Sequence, residues 1–169
     1  MDPVIGKISK NILFKGLAPS EAEELFGQIQ YRSRHFNKNE IMALAGDEVQ
    51  NLMIVSEGSV RGEMTSPSGR VLKIEDIAAP DPIATAFIFG QQNRFPVNVY
   101  ANEPCEIVYI QKMHLLALFQ LNKILLTNYL NQISNRAQFL TSKMHMLSFK
   151  SIKGKLAHYV LQHIGSGNK

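Results

Sequence analysis

Apolar residues along the chain change their period twice. Ile5, Ile8, Ile12, Leu13 and Leu17 recur at roughly helical spacing between Val4 and Leu17, which predicts one helix there. Ser20 with Glu23 reads as a capping box that opens a second, shorter helix. From Gln30 the texture becomes short β-rich runs: YRSRHF, EIMALA, NLMIVS, SVRGEMT, RVLKIEDI, FPVNVYA and EIVYIQ. Turn formers separate them, namely Asn37 with Asn39, Gly46-Asp47, Glu57-Gly58 and Ser66-Pro67-Ser68-Gly69. Many short strands at spacings of about ten residues predict a barrel or sandwich.

After Gln111 the helical period returns, first in KMHLLALFQ and then from Asn122 to about Leu147, a stretch without Pro or Gly. Within it Leu126, Leu130, Ile133, Ala137, Leu140, Met144 and Leu147 follow alternating steps of four and three, the seam of a left-handed coiled coil. The flanks carry Asn131, Arg136, Thr141 and Lys143. A helix packed only on its own barrel would need a wider apolar stripe, so the seam predicts a homodimer. Ile152, Leu156, Tyr159, Val160 and Ile164 give a last amphipathic helix, capped by Ser151 and too short to be a domain. The expected organisation is 1–29 N-terminal helical segment, 30–111 β-barrel sensor domain, 112–148 short helix and long dimerisation helix, and 149–169 hinge and first helix of a truncated second domain.

Composition narrows the function classes. A chain of 169 residues, 45% hydrophobic, can bury a proper core, and a net charge of +4 is too mild to signal nucleic-acid binding by itself. The single Cys105 excludes, within one chain, an internal disulfide, a four-cysteine zinc site and a cysteine-ligated iron-sulfur cluster. A reducing cytoplasm fits best. The opening MDPVIGKISK has no apolar signal-peptide core, and no apolar run is long enough to span a bilayer, so no membrane partner is expected. A metal-dependent barrel enzyme would need about three histidines and a carboxylate converging inside. The strand region offers only His35, with no His-x-His, so an enzyme is not expected.

The order of parts resembles the CRP/FNR family of bacterial transcription regulators. The likeness is carried by LFKGLAPSEAEELF, by the glycines of ALAGDEVQNLMIVSEGSV, and by the helix-to-hinge stretch LNQISNRAQFLTSKMHMLSFKSIKGKLAHYVLQ. It implies a mainly β fold with α: a cyclic-nucleotide-binding-like double-stranded β-helix (jelly-roll) barrel, flanking short helices and a long C-terminal coiled-coil dimerisation helix. A winged helix-turn-helix that binds promoter DNA would follow, and only its first helix is expected here. The chain alone is therefore expected to dimerise without binding operator DNA specifically.

Members that bind cyclic AMP grip it with a Gly-Glu pair and, further on, an Arg-Ser pair before an apolar strand. Aligned through the strand ending at Ala101, Ala84-Thr85 takes the first place and Phe95-Pro96 the second. The carboxylate for the ribose and the guanidinium and hydroxyl for the phosphate are gone. A buried unpaired anion costs several kcal/mol or more, and Pro96 has no N–H to donate. Cyclic AMP is not the expected ligand. Arg94 could reach the pocket only by a one-residue slip; otherwise it is a solvated loop residue or a carboxylate's partner.

The stretch KIEDIAAPDPIATAFIFGQQNRFPV resembles the HcpR-type branch, which implies haem-dependent sensing of nitric oxide or nitrosative stress. The N-terminal cysteines of the branch that binds an iron-sulfur cluster are absent. If Phe95 faces inward, strand alternation brings Val97 and Val99 with it, and Ile83, Phe87 and Phe89 line the neighbouring wall. The same side chains could simply fill the barrel core. Met64 shares a strand face with Val60 and Gly62, and His145 flanks the helix seam beside Thr141, so Met64 and His145 are the candidate axial ligands. Met144 and Met146 are rivals, His35 and His114 read as surface residues, and His158 and His163 lie on the last helix. An effector-independent scaffold, another small apolar or acidic ligand, and a divergent cyclic-nucleotide regulator stay open.

Overall fold

A computed structural model describes residues 3–148, with side chains through Met144. The expected hinge and last helix, the histidines His158 and His163, and the side chains of His145, Met146 and Leu147 lie outside the described residues. The chain divides into two compact units between Leu130 and Asn131.

In the first unit, helix α1 (Pro3–Ile8), a 3-10 turn (Ile12–Phe14) and α2 (Pro19–Gly27) precede eight strands. These are β1 (Tyr31–Phe36), β2 (Ile41–Ala43), β3 (Asn51–Glu57), β4 (Ser59–Thr65), β5 (Val71–Ala78), β6 (Pro82–Ile83), β7 (Asn98–Ala101) and β8 (Cys105–Gln111). A 3-10 turn (Thr85–Phe87) follows β6, and α3 (Lys112–Leu121) and the start of α4 (Lys123–Ser148) follow β8. Two antiparallel four-stranded sheets, β1-β8-β3-β6 and β2-β7-β4-β5, build the expected jelly roll. In β3 every residue from Leu52 to Ser56 is buried, because one face lies inside the barrel while α1 and α3 pack on the other. That double burial explains the unbroken apolar run LMIV.

Three local expectations are corrected. The single helix from Val4 to Leu17 breaks at Asn11, which is 1% exposed. Its side-chain oxygen accepts the Leu13 N–H at 2.8 Å and its amide donates to the Pro80 carbonyl. A capping side chain of this kind starts a new turn rather than continuing the old one. The second helix is not capped by Ser20 and Glu23 but begins two residues earlier, with Pro19 in its first turn and Glu21 accepting the Ala18 N–H at 2.7 Å. The run FPVNVYA is strand only from Asn98. Upstream, Asn93 and Phe95 pair with the loop after β2: Val49 N–H to Asn93 O at 2.8 Å, Phe95 N–H to Asp47 O at 2.9 Å, and Gly46 N–H to Phe95 O at 2.8 Å. Pro96, without an N–H, separates the two pairings.

On the helix-facing side of the first sheet, Glu106 is a buried carboxylate, 6% exposed. Ser33 Oγ and, at 2.8 Å, Ser56 Oγ donate to it, and Lys7 Nζ stands at 3.5 Å and His35 Nε2 at 3.7 Å. The Ser33 hydrogen bond above all holds its carboxyl below the usual carboxylate range, against the opposing effect of burial. Because the folded-state value is depressed, the stabilisation is complete above the ordinary carboxylate pKa and disappears as pH falls through the depressed one. Glu106→Gln is expected to lose about 2 kcal/mol at neutral pH, and the gap to wild type should close below the carboxylate range. Urea unfolding at both pH values checks this; a gap that does not change with pH would overturn it.

Candidate functional site

The segment from β6 to β7 carries the residues singled out in the sequence. Pro82 and Ile83 pair with Ile54 and Met53 of β3, which fixes where the segment leaves the sheet. At Ala84 the backbone turns left-handed, with φ 55°, and Phe87 N–H returns to the Ala84 carbonyl at 2.9 Å to close the 3-10 turn. That conformation suits glycine and is strained for alanine. Ile88 then plugs inward, fully buried, before the chain reverses through Gly90 at φ 96°.

The inner wall is apolar and closely packed. Ile83, Phe95 and Val99 are buried, while Val97 and Phe87 are half-buried. Gly62 of β4 meets Val97 so closely that an added Cβ would stand 2.9 Å from Val97 Cγ2. Its strand neighbour Val60 is buried, but Met64, toward the tip of the β4–β5 hairpin, is 43% exposed and pairs with the equally exposed Leu72. Phe89 packs edge-on against Tyr129 at 5.8 Å, with Lys112 Nζ 4.9 Å from its ring centroid.

Arg94 does not reach into this wall. Its guanidinium donates to the Gly46 carbonyl at 2.6 Å, and the residue bridges Glu48, whose carboxyl is held low chiefly by Gln50 and Asn93. Of the readings open for it, the structure supports a brace between two loops.

Sequence reasoning missed Tyr129. It is buried on α4, its hydroxyl donates to the Thr85 carbonyl at 2.9 Å, and its ring lies 4.8 Å from that of Phe119. Burial pushes its phenol up to about 12, so it remains a donor throughout the physiological range. Asn128 adds hydrogen bonds from Nδ2 to the Leu13 and Lys15 carbonyls at 2.9 and 2.8 Å. The signal was available: buried Leu125 and Tyr129 form a second stripe, one residue behind Leu126 and Leu130 of the seam. Leu126 is half-buried and Leu130 is 54% exposed.

In the second unit, α4 continues with Ile133 half-buried, Ala137 exposed, Leu140 53% exposed and Met144 71% exposed. Thr141 Oγ1 donates to its own helix, at the Ala137 carbonyl, 2.9 Å away. Met64 belongs to the first unit and His145 to the second. Among the described residues, no group of three His, Cys, Asp or Glu side chains could hold a metal ion. No helix among them is long and apolar enough to cross a membrane.

A family model described as the cyclic nucleotide-binding domain matches residues 33–122. A transcriptional regulator from Thermotoga maritima shares 31% identity over 75% of this chain and 96% of its own, with a TM-score of 0.68. The Thermus thermophilus catabolite activator protein shares the fold at 21% identity over 92% of this chain and 72% of its own, TM-score 0.70. The sensor domain of the transcriptional regulator DNR from Pseudomonas aeruginosa does so at 17% identity, over 78% and 91%, TM-score 0.63. No curated protein sequence matches significantly.

The Tyr129 hydroxyl is the polar tie between α4 and the 3-10 turn, and removing it leaves the Thr85 carbonyl without that donor. Tyr129→Phe is expected to lose about 1 kcal/mol of stability and to speed amide exchange across 84–89. Hydrogen exchange with denaturant unfolding checks both; an unchanged 84–89 segment would overturn the tie.

Proposed function

Since the chain belongs to the cyclic nucleotide-binding domain family, we propose that it is the sensory part of a CRP/FNR-type transcription regulator whose effector is not cyclic AMP. One observation carries this reading: Phe95, which the resemblance sets in the place of the phosphate grip, is buried, 6% exposed, and Arg94 beside it turns to the Gly46 carbonyl. A phosphate brought to that wall would lose water and gain no cation. The described regulatory relative from Thermotoga maritima supports a role in transcription rather than catalysis.

The mode of action rests on the tie just described. A ligand against the barrel's inner wall presses on the segment 83–97, and Tyr129 passes that displacement to the first turns of α4. A bistable helix start is enough to bias attached DNA-binding domains. The exposed apolar positions Leu130, Leu140 and Met144 support pairing of α4 with a second copy, and promoter DNA would be met by the domain expected after the hinge.

For the effector, the finer proposal is haem sensing nitric oxide. Met64 presents an exposed thioether, with Leu72 and Ile74 of the same hairpin as exposed apolar surface beside it, which suits one side of a porphyrin. Met64 is the candidate ligand in the first unit and His145 the candidate on α4, and the iron of the group would supply a binding position for the diatomic gas. The packing of Val97 on Gly62 favours a second reading, in which the closed barrel is an effector-independent scaffold.

Haem titration separates the two. The proposal expects a saturable Soret shift that changes in Met64→Ala and His145→Ala; no shift supports the scaffold, and identical bands in both variants would sink the ligand pair. Pairing through α4 is checked by sedimentation: Leu140→Glu is expected to convert a dimer into a monomer, whereas a dimer that persists in this variant excludes the seam.

A further inference from the structure

A cavity of about 400 Å³ opens in the first unit at a place the proposed function does not use. One wall comes from a row across the first sheet, where Arg32, Tyr109 and Met53 stand side by side on β1, β8 and β3. Met42 and Phe95 close it from the other direction, and the loop from Asp47 to Asn51 forms its rim. Phe95 is its sole residue in common with the wall facing Gly62. A shallower recess of about 140 Å³ shares Arg32, Asn51 and Tyr109 with it.

The two ends of the cavity differ in chemistry. Met53 and Phe95 are buried and Met42 half-buried, which makes one end apolar and adaptable in shape. At the other end the Arg32 guanidinium lies 5.2 Å from the Tyr109 ring centroid, with the Asn51 amide close by on the shared rim. Among the described residues, no hydrogen bond or ion pair engages the side chains of Arg32, Asn51 or Tyr109. The carboxylates on the rim are already committed. Asp47 accepts the Leu44 N–H at 2.9 Å, and Glu48 accepts from Asn93 at 3.1 Å and Gln50 at 3.3 Å. The second arginine, Arg34, is paired with Glu40 at 3.2 Å. What is left uncommitted is a cation and two neutral donors above an apolar floor.

We propose that this cavity binds an amphiphilic monocarboxylate, its carboxylate on Arg32, Asn51 and the Tyr109 hydroxyl and its apolar body against Met42, Met53 and Phe95. A volume of this order suits a small organic ligand, and a guanidinium meets a carboxylate through two parallel donors. The ligand also reaches the ribbon in which Phe95 N–H bonds the Asp47 carbonyl and Gly46 N–H returns to Phe95. Occupancy therefore acts on the segment 83–97 from a wall separate from Gly62 and Met64. The site stands whether or not haem binds.

Octanoate titrated into the full chain carrying ¹³C-methyl methionine is the test. The expected result is saturable movement of the Met42 and Met53 resonances while exposed Met113 stays still. Octanol should bind about tenfold more weakly, and Arg32→Gln, at an exposed position, should weaken octanoate by about tenfold without lowering the melting temperature. Asn51→Ala should weaken it in the same direction. No saturable movement of Met42 and Met53, equal binding of octanol, or wild-type affinity in Arg32→Gln would each overturn the proposal.

Discussion

A strand buried on both faces must find every backbone partner inside the protein, and β3 is that strand. Along one edge it pairs with β8 and along the other with β6, so neither row of N–H and C=O groups meets water unpaired along those contacts. The consequence extends beyond stability. Because β6 is held by β3, the segment that follows starts from a fixed point, and Ala84, the 3-10 turn, Ile88 and Phe95 all take their places from it. The helices are arranged by the same constraint, since α1 and α3 pack on the face of β3 turned away from the barrel. Glu106 lies on β8, on that covered side, and its hydroxyl and ammonium partners are the terms on which a charge can remain there.

Much of this was legible in the chain because it depends on local period. The runs SVRGEMT and YRSRHF coincide with β4 and β1, and the turn formers between runs fall between strands, save Glu57, which ends β3. Features resting on distant partners were hidden. Asn11 reads as an ordinary polar residue on a helix until Pro80, far along the sequence, supplies an acceptor. The two-residue β6 is too short for any alternation, and its proline argues against a strand except at an edge, which is where it lies. Tyr129 went unread because two stripes share one helix, and only tertiary packing tells which stripe meets the barrel.

At the site, the side chains of the segment 83–97 were easier to read from the sequence than the contacts they make. Phe95 was read as a wall residue, and it is buried, but it also belongs to a ribbon with Gly46 and Asp47 that no spacing rule would reveal. Arg94 was open between a ligand contact and a surface role; a carbonyl acceptor in a loop more than forty residues upstream decides it. The chemistry of one position was thus readable from its side chain, and the direction of its neighbour was not. Phe95 gives the segment an apolar wall, and Arg94 beside it is committed to the Gly46 carbonyl.

The buried Asn11 has a bearing on where the working fragment begins. Its amide fastens the N-terminal helices to the turn at Pro80, two residues before the start of β6. The match to the family model of the nucleotide-binding domain starts at residue 33. A piece cut to that boundary would clip Tyr31 and Arg32 from β1, strip the Pro80 carbonyl of its donor and remove the α1 cover from the helix-facing side of β3. Sequence kinship and physical independence therefore have different edges in this chain, and the first ten or so residues belong to the second.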